Sequence, residues 1–109
     1  MHELAIAESV VAAVLERTDG RRVSVVRLRI GRLTAVVPDA LTFCFELAAA
    51  GTSLEGAALE VTEESGRAHC RSCGADFTLE DPILLCGCGS ADVELLTGRE
   101  LQVTSVEVG

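Results

Sequence analysis

The apolar positions of this chain change their period three times within its first sixty or so residues. From residue 4 to 17, Leu4, Ala7, Val11, Val14 and Leu15 recur at helical spacing with Glu8, Glu16 and Arg17 off the stripe, which predicts an amphipathic helix. Thr18-Asp19-Gly20 ends it, with Gly20 standing just past the last turn. Residues 22 to 32 switch to alternation: Val26, Leu28 and Ile30 point one way, Arg27 and Arg29 the other, the pattern of a half-buried strand. Val37-Pro38-Asp39 opens a second helix, because proline pre-sets the first turn and aspartate suits the positive helix end. Leu41, Cys44, Phe45 and Ala48 share a face of that helix, and Gly51 marks its stop. Residues 57 to 64 read as another strand. Residues 91 to 96 form a short strand-like piece, and residues 99 to 108 are a final strand after the turn at Thr97-Gly98.

In chain order these elements predict an α+β fold, two helices on a three-stranded sheet, with a zinc-ribbon-like module inserted before the last strand. The α+β domain takes residues 1–66 and 98–109, and the module takes residues 67–97. The module owns few large apolar residues: Phe77, Leu79, Ile83, Leu84 and Leu85. A piece that small needs a staple to fold.

Its cysteines supply one. Cys70-Arg-Ser-Cys73 and Cys86-Gly-Cys88 are two close pairs separated by twelve residues. Each pair can chelate as a knuckle, and the longer spacer is enough chain for a hairpin to bring the knuckles onto one tetrahedral Zn²⁺. Two disulfides are the competing use of the same four thiols. Four thiolates would fill the coordination shell, so the zinc is structural rather than catalytic. The second pair has a one-residue spacer, and Gly87 and Gly89 flank Cys88 to permit a sharp turn. His69 adjoins Cys70 as a further candidate ligand or as a solvated loop histidine, and Cys44 reads as a small buried hydrophobe.

Composition narrows the functions. No apolar run approaches the roughly eighteen residues of a membrane-spanning helix. The first charges are the acidic Glu3 and Glu8, which do not make a secretory signal, so a cytoplasmic, reducing setting is expected. Net charge is −8, all nine basic residues are arginine, and the three aromatics are phenylalanine. Such a chain is poorly suited to nucleic acid, having neither a cationic surface nor stacking platforms. Five of the arginines fall between residues 21 and 32, as solvent-facing strand residues or as a patch for an acidic partner.

The N-terminus carries a second donor set. A large residue at position 2 leaves Met1 in place, so its α-amine, the backbone amides, the His2 imidazole and the Glu3 carboxylate can wrap one ion. Nitrogen-rich sets of this kind suit Ni²⁺ or Cu²⁺.

Read together, these features resemble the HypA/HybF family of hydrogenase nickel-insertion accessory proteins. The resemblance rests on Met1-His2-Glu3-Leu4, residues 26 to 31 (Val-Arg-Leu-Arg-Ile-Gly), Phe43-Cys44-Phe45-Glu46, Cys70-x2-Cys73, the Cys86-Gly-Cys88-Gly-Ser run and Glu100-Leu101. It implies a nickel site with His2 as chief ligand and Met1 and Glu3 as companions, and a zinc site at Cys70, Cys73, Cys86 and Cys88. It further implies a nickel metallochaperone for [NiFe] hydrogenase maturation, working with a HypB-type GTPase on the hydrogenase large subunit, as a monomer or weak homodimer. The second pair departs from the family's Cys-Pro-x-Cys pattern by one residue. Two other functions compete: a thiol redox enzyme using Cys70-x2-Cys73, and a zinc-ribbon adaptor that binds protein but no nickel. No base–nucleophile pair or phosphate-cradling loop points to an enzyme.

Overall fold

The structure is a computed structural model that describes residues 2–109. Two compact units share the chain. The first contains residues up to Leu28, then Val36–Thr62 and Gln102–Gly109; the second contains Arg29–Ala35 and Glu63–Leu101.

In the first unit, helices α1 (Glu3–Thr18) and α2 (Pro38–Ala49) pack against each other. Strand β1 (Val23–Gly31) is central in a sheet of order β2-β1-β6, with β2 at Ala58–Glu64 and β6 at Leu101–Val108. Buried aliphatics from both helices and β1 make one core: Ala7, Val10, Val11 and Val14, then Val23, Val26 and Leu28, then Leu41, Phe45 and Ala49, closed by Leu54. Fully burying side chains of this size contributes about 1.5–3 kcal/mol each relative to leaving them exposed. On the opposite side of β1 from this core, Arg27 bonds Glu60 of β2 at 2.9 Å and pairs with Glu107 of β6.

The inward stripe of α1 differs from the one expected at its ends. Leu4 is 48% exposed, while Glu3 and Thr18 are turned in. Each buried polar group finds a partner. Glu3 Oε2 accepts the Val37 N–H at 3.2 Å, and Thr18 Oγ1 donates to Val14 O at 2.8 Å. A buried, satisfied polar residue takes the place that apolar periodicity assigns to its neighbour. Asp19, in the left-handed conformation at φ 51°, closes the helix by donating its N–H to Leu15 O at 3.2 Å. On α2 the buried face is Leu41, Phe45 and Ala49, with Cys44 and Ala48 half-buried beside it.

The second unit is built around β3 (Gly66–Cys70), paired antiparallel with β4 (Asp76–Leu79) on one side and β5 (Val93–Thr97) on the other. A 3₁₀ turn at Arg32–Thr34 sets Leu33 against Ala68 and Leu79, and Phe77, Leu84 and Leu95 pack around them. Leu33 N–H donates to Gly98 O at 2.9 Å, and Gly31 N–H to Glu100 O at 2.8 Å. These strands pass so closely that a Cβ on Gly31 would lie 2.0 Å from Gly98 O. Arg32 pairs with Glu63 at 3.7 Å and with Glu80 at 3.5 Å on the surface.

The architecture is therefore α+β, two helices with a three-stranded sheet plus a small zinc-ribbon-like module. The five long elements lie within about two residues of their expected bounds, a spread normal for element ends. Strands β3 and β4 were not expected, and residues 29–35 belong with the cysteine-bearing unit through Leu33. Of the module's expected apolar set, Ile83 and Leu85 face solvent at 65% and 51% exposure.

Candidate metal centre

Both cysteine pairs sit at chain reversals next to the β4-β3-β5 sheet. The first knuckle begins where β3 ends. Cys70 N–H donates to Ala75 O, Gly74 N–H donates back to Cys70 O, both at 2.9 Å, and Cys73 N–H points at Cys70 Sγ at 3.4 Å. The second knuckle repeats each of these bonds with one residue fewer. Cys86 N–H donates to Ser90 O, Gly89 N–H to Cys86 O, both at 2.9 Å, and Cys88 N–H points at Cys86 Sγ at 3.5 Å. In each, the glycine immediately after the second cysteine is at positive φ: Gly74 at 78° and Gly89 at 94°. The shortened pair thus keeps the knuckle's logic, an amide aimed at the first sulfur and a left-handed residue to close the turn. Of the two glycines expected to permit the sharp turn, Gly87 is not at positive φ, and a Cβ there would meet nothing within 4 Å.

The knuckles bring all four sulfurs within 4.8 Å of one another. Cys70 Sγ is 3.8 Å from Cys88 Sγ, and Cys73 Sγ is 3.7 Å from Cys86 Sγ. A disulfide needs about 2.05 Å, so both contacts are between separate thiols. Four sulfurs at about 2.3 Å from one ion at tetrahedral angles stand about 3.8 Å apart, so the cluster fits a zinc-sized ion. One cysteine of each pair is buried (Cys70, Cys86) and one is exposed (Cys73, Cys88). Four filled positions leave no opening for a substrate, which makes this a structural rather than a catalytic arrangement.

Electrostatics favour charge on Cys70. The Cys73 N–H, with help from the Ser72 N–H and against the cost of burial, lowers its thiol to about 6. At Cys86 the Cys88 N–H pulls downward, but burial and the three neighbouring thiols overcome it and push the thiol up to about 12. Without a cation, four thiolates this close cannot all ionise. A divalent ion removes that conflict.

Residues within the first cysteine pair and just after the second clasp the two knuckles. Ser72 Oγ meets Ser90 Oγ at 2.8 Å, Arg71 N–H donates to Asp92 O at 3.0 Å, and the Arg71 guanidinium reaches Asp92 Oδ1 at 3.1 Å. Sequence reasoning did not single these out. The only signal is that each polar residue lies within four positions of a cysteine. His69 lies on β3, not in a loop, with its Nδ1 2.6 Å from Asp76 Oδ1. Its registered neighbours are Asp76 on β4 and Glu94 on β5. Cys70, its neighbour in the chain, stands on the buried face of β3.

At the N-terminus, His2 is the N-cap of α1. Its backbone carbonyl accepts the Ile6 N–H at 3.0 Å, while its exposed imidazole makes no capping bond. Glu3 as a residue is 5% exposed, and its carboxylate is bonded to the Val37 amide, as described above. Met1 lies outside the described residues.

Comparison with known proteins agrees along the whole chain. The profile of the HypA family, described as hydrogenase/urease nickel incorporation, metallochaperone, matches residues 1–108. The hydrogenase maturation factor HypA of Nostoc sp. is 49% identical over 108 residues, covering 99% of this chain and 96% of its own length. The corresponding factor of Streptomyces avermitilis is 48% identical over 112 residues, covering 97% of this chain and 86% of that one. In fold, the solution structure of the Ni metallochaperone HypA from Helicobacter pylori superposes with a TM-score of 0.68 at 22% identity, over 99% of this chain and 97% of that one. With a four-cysteine metal centre and homology spanning nearly every residue, this chain belongs to the HypA family of hydrogenase/urease nickel-incorporation metallochaperones.

Proposed function

We propose that this protein binds Ni(II) at its N-terminus and delivers it to the large subunit of a [NiFe] hydrogenase, with a HypB-type GTPase as partner, in the cytoplasm. It acts as a carrier and not as a catalyst. In this reading Cys70, Cys73, Cys86 and Cys88 hold a structural Zn²⁺ that folds the small module, and His2 is the chief nickel ligand. The terminal amine of Met1 and the backbone nitrogens of His2 and Glu3 complete the donor set. Glu3 enters through its backbone, because its carboxylate is turned inward onto the Val37 amide. The observation that carries the reading is the exposed His2 imidazole, free of any capping bond, at the head of α1, in a chain where four of the five cysteines are already gathered into a closed cluster. Imidazole and amine nitrogens suit Ni(II), whereas soft thiolates suit zinc. A carrier must also release its cargo, and an exposed terminal site releases a metal more readily than a buried cage.

The test is nickel titration of protein with a native, untagged N-terminus. His2→Ala should abolish stoichiometric nickel binding while zinc content and helical circular dichroism stay unchanged, since the side chain supports no core. Residues added ahead of Met1 should have a similar effect by converting the amine into an amide. Nickel binding must also weaken as pH falls, because imidazole and amine nitrogens bind the metal deprotonated. Undiminished nickel binding by His2→Ala would refute the N-terminal site, and a native chain that binds no nickel would leave the adaptor reading.

A further inference from the structure

The four cysteines of the metal centre are not equivalent towards a reagent in solution. Cys73 and Cys88 are exposed, whereas Cys70 and Cys86 are buried. Two close sulfur contacts each join one of either kind, and each crosses from one knuckle to the other. Cys73 Sγ lies 3.7 Å from Cys86 Sγ, and Cys88 Sγ lies 3.8 Å from Cys70 Sγ. Within a pair, the second cysteine turns its backbone amide to the first sulfur, at 3.4 Å in one knuckle and 3.5 Å in the other. The contacts of Arg71 and Ser72 with Asp92 and Ser90 hold the knuckles face to face in this arrangement. An accessible sulfur backed by a protected one is the layout of a thiol pair that oxidises reversibly.

We infer that this centre is a peroxide-responsive site, in which oxidation forms the disulfides Cys73–Cys86 and Cys70–Cys88 and expels the metal. The inference rests on the structural Zn²⁺ of the proposed function. Bound zinc keeps its sulfur ligands as thiolates, the nucleophilic form. The exposed thiolate attacks one oxygen of hydrogen peroxide, the O–O bond breaks, and a sulfenic acid and a hydroxide result. The buried thiolate opposite then attacks the sulfenic sulfur, forming the S–S bond and releasing a second hydroxide. Each disulfide consumes one peroxide, which takes two electrons from two thiolates. A disulfide brings its sulfurs to about 2.05 Å, whereas two ligands of one tetrahedral zinc stand about 3.8 Å apart, so link and ion exclude each other. Closure within the second pair would have to span the single Gly87 and make a very small ring. In a reducing setting, reductant thiols reopen the links and return the donors to the metal.

Treating the zinc-loaded full chain with hydrogen peroxide tests this. Zinc captured by a chromophoric chelator should rise to the whole bound amount, and the thiols of the denatured chain should fall from five to the one of Cys44. Reductant should restore both. After free thiols are alkylated, trypsin and a glutamate-specific protease used without reduction separate peptides 68–71, 72–80 and 81–94. The inferred links join all three into one species, and fragmentation at Gly87 should assign Cys73 to Cys86 and Cys70 to Cys88. Peptide 68–71 linked only to 72–80, with 81–94 closed on itself, overturns the inference, and so does pairing of Cys70 with Cys86. Sulfinic acids in place of disulfides also overturn it, as does zinc that stays bound under conditions that fully oxidise glutathione. A chain purified without zinc refutes the structural-zinc reading instead, and the peptide map of its peroxide-treated thiols still decides the pairing.

Discussion

Phe45, Leu41, Leu28, Val26 and Leu54 are all but fully buried in the unit built from two helices and a sheet, whereas the cysteine-bearing unit gathers a smaller buried apolar cluster of Leu33, Ala68 and Leu79. One unit has enough aliphatic volume to close a core by itself. The other has a chain of similar irregularity, several exposed loops and too little apolar surface to offset the entropy of ordering them. Its two most buried reactive groups are instead sulfurs, Cys70 and Cys86. The units divide the protein's chemistry in the same way. The proposed structural metal site stands where hydrophobic stabilisation is thin, and the proposed cargo site stands at the exposed head of a helix whose other face is well packed.

The largest expected effect breaks the thin unit alone. Structural zinc in small modules binds with apparent free energies on the order of 10 kcal/mol or more, and that binding is folding free energy. A strong chelator, or Cys70→Ser, should therefore melt β3, β4 and β5 while the circular dichroism of α1 and α2 persists. Acid should do the same with a defined sign. A thiol lowered to about 6, as at Cys70, favours the folded thiolate above its ordinary value of 9.0 and loses that advantage as pH falls through 6. Cys86, pushed up to about 12, is protonated in the metal-free cluster at neutral pH and must give its proton to bind. Zinc retention should accordingly fall as pH drops, and zinc uptake at neutral pH should release protons, measurable by calorimetry in buffers of different ionisation enthalpy. Metal-free protein with strand exchange rates unchanged would refute the division.

The converse experiment strikes the thick core. Phe45→Ala removes the largest fully buried side chain and should cost about 3–5 kcal/mol of first-unit stability by lost transfer and cavity terms. Zinc content should not change. Denaturant melting followed by helical circular dichroism, with metal analysis of the same samples, separates the two outcomes.

These contrasts also explain what the sequence reveals by itself. Both helices and strands β1, β2 and β6 announce themselves by aliphatic periodicity, and the metal cluster by cysteine spacing. β3 does not, although its burial alternates perfectly from Gly66 through Ala68 to Cys70. Its inward residues are small because Leu33 from a distant segment lies on top of them: a Cβ on Gly66 would meet Leu33 Cδ1 at 2.7 Å. A strand whose core side is filled from elsewhere carries no large apolar residues of its own, so it is invisible to period counting. The same long-range packing draws residues 29–35 into the second unit. At α1 the error runs the other way. Leu4 fits the apolar period, yet Glu3 is the residue turned in, because the Val37 amide awaits it there.

That small-residue packing gives an intermediate test. Gly31→Ala drives a Cβ toward Gly98 O at 2.0 Å, a backbone atom with no rotamer to escape into. Overpacking of this kind costs about 1–3 kcal/mol. The cost should fall on the second unit, seen as faster amide exchange around Leu33 and Gly98, with Phe45's surroundings unaffected. Equal loosening of both units would mean that the two do not separate energetically as their cores suggest.

The smallest effect distinguishes two glycines two positions apart. Gly89 sits at φ 94°, a conformation that L-residues enter at a cost of roughly 1–2 kcal/mol, and its N–H closes the short knuckle onto Cys86 O. Gly87 is in an ordinary conformation with open space where a Cβ would go. Gly89→Ala should therefore weaken zinc binding by about tenfold, the equivalent of about 1.4 kcal/mol, without changing stoichiometry, whereas Gly87→Ala should leave zinc affinity within experimental error. Competition with a chromophoric chelator resolves a tenfold difference easily. If Gly87→Ala were the more damaging of the two, the strain in the short pair would lie between its cysteines rather than after them, and the parallel between the two knuckles, each closed by a left-handed glycine after its second sulfur, would fail.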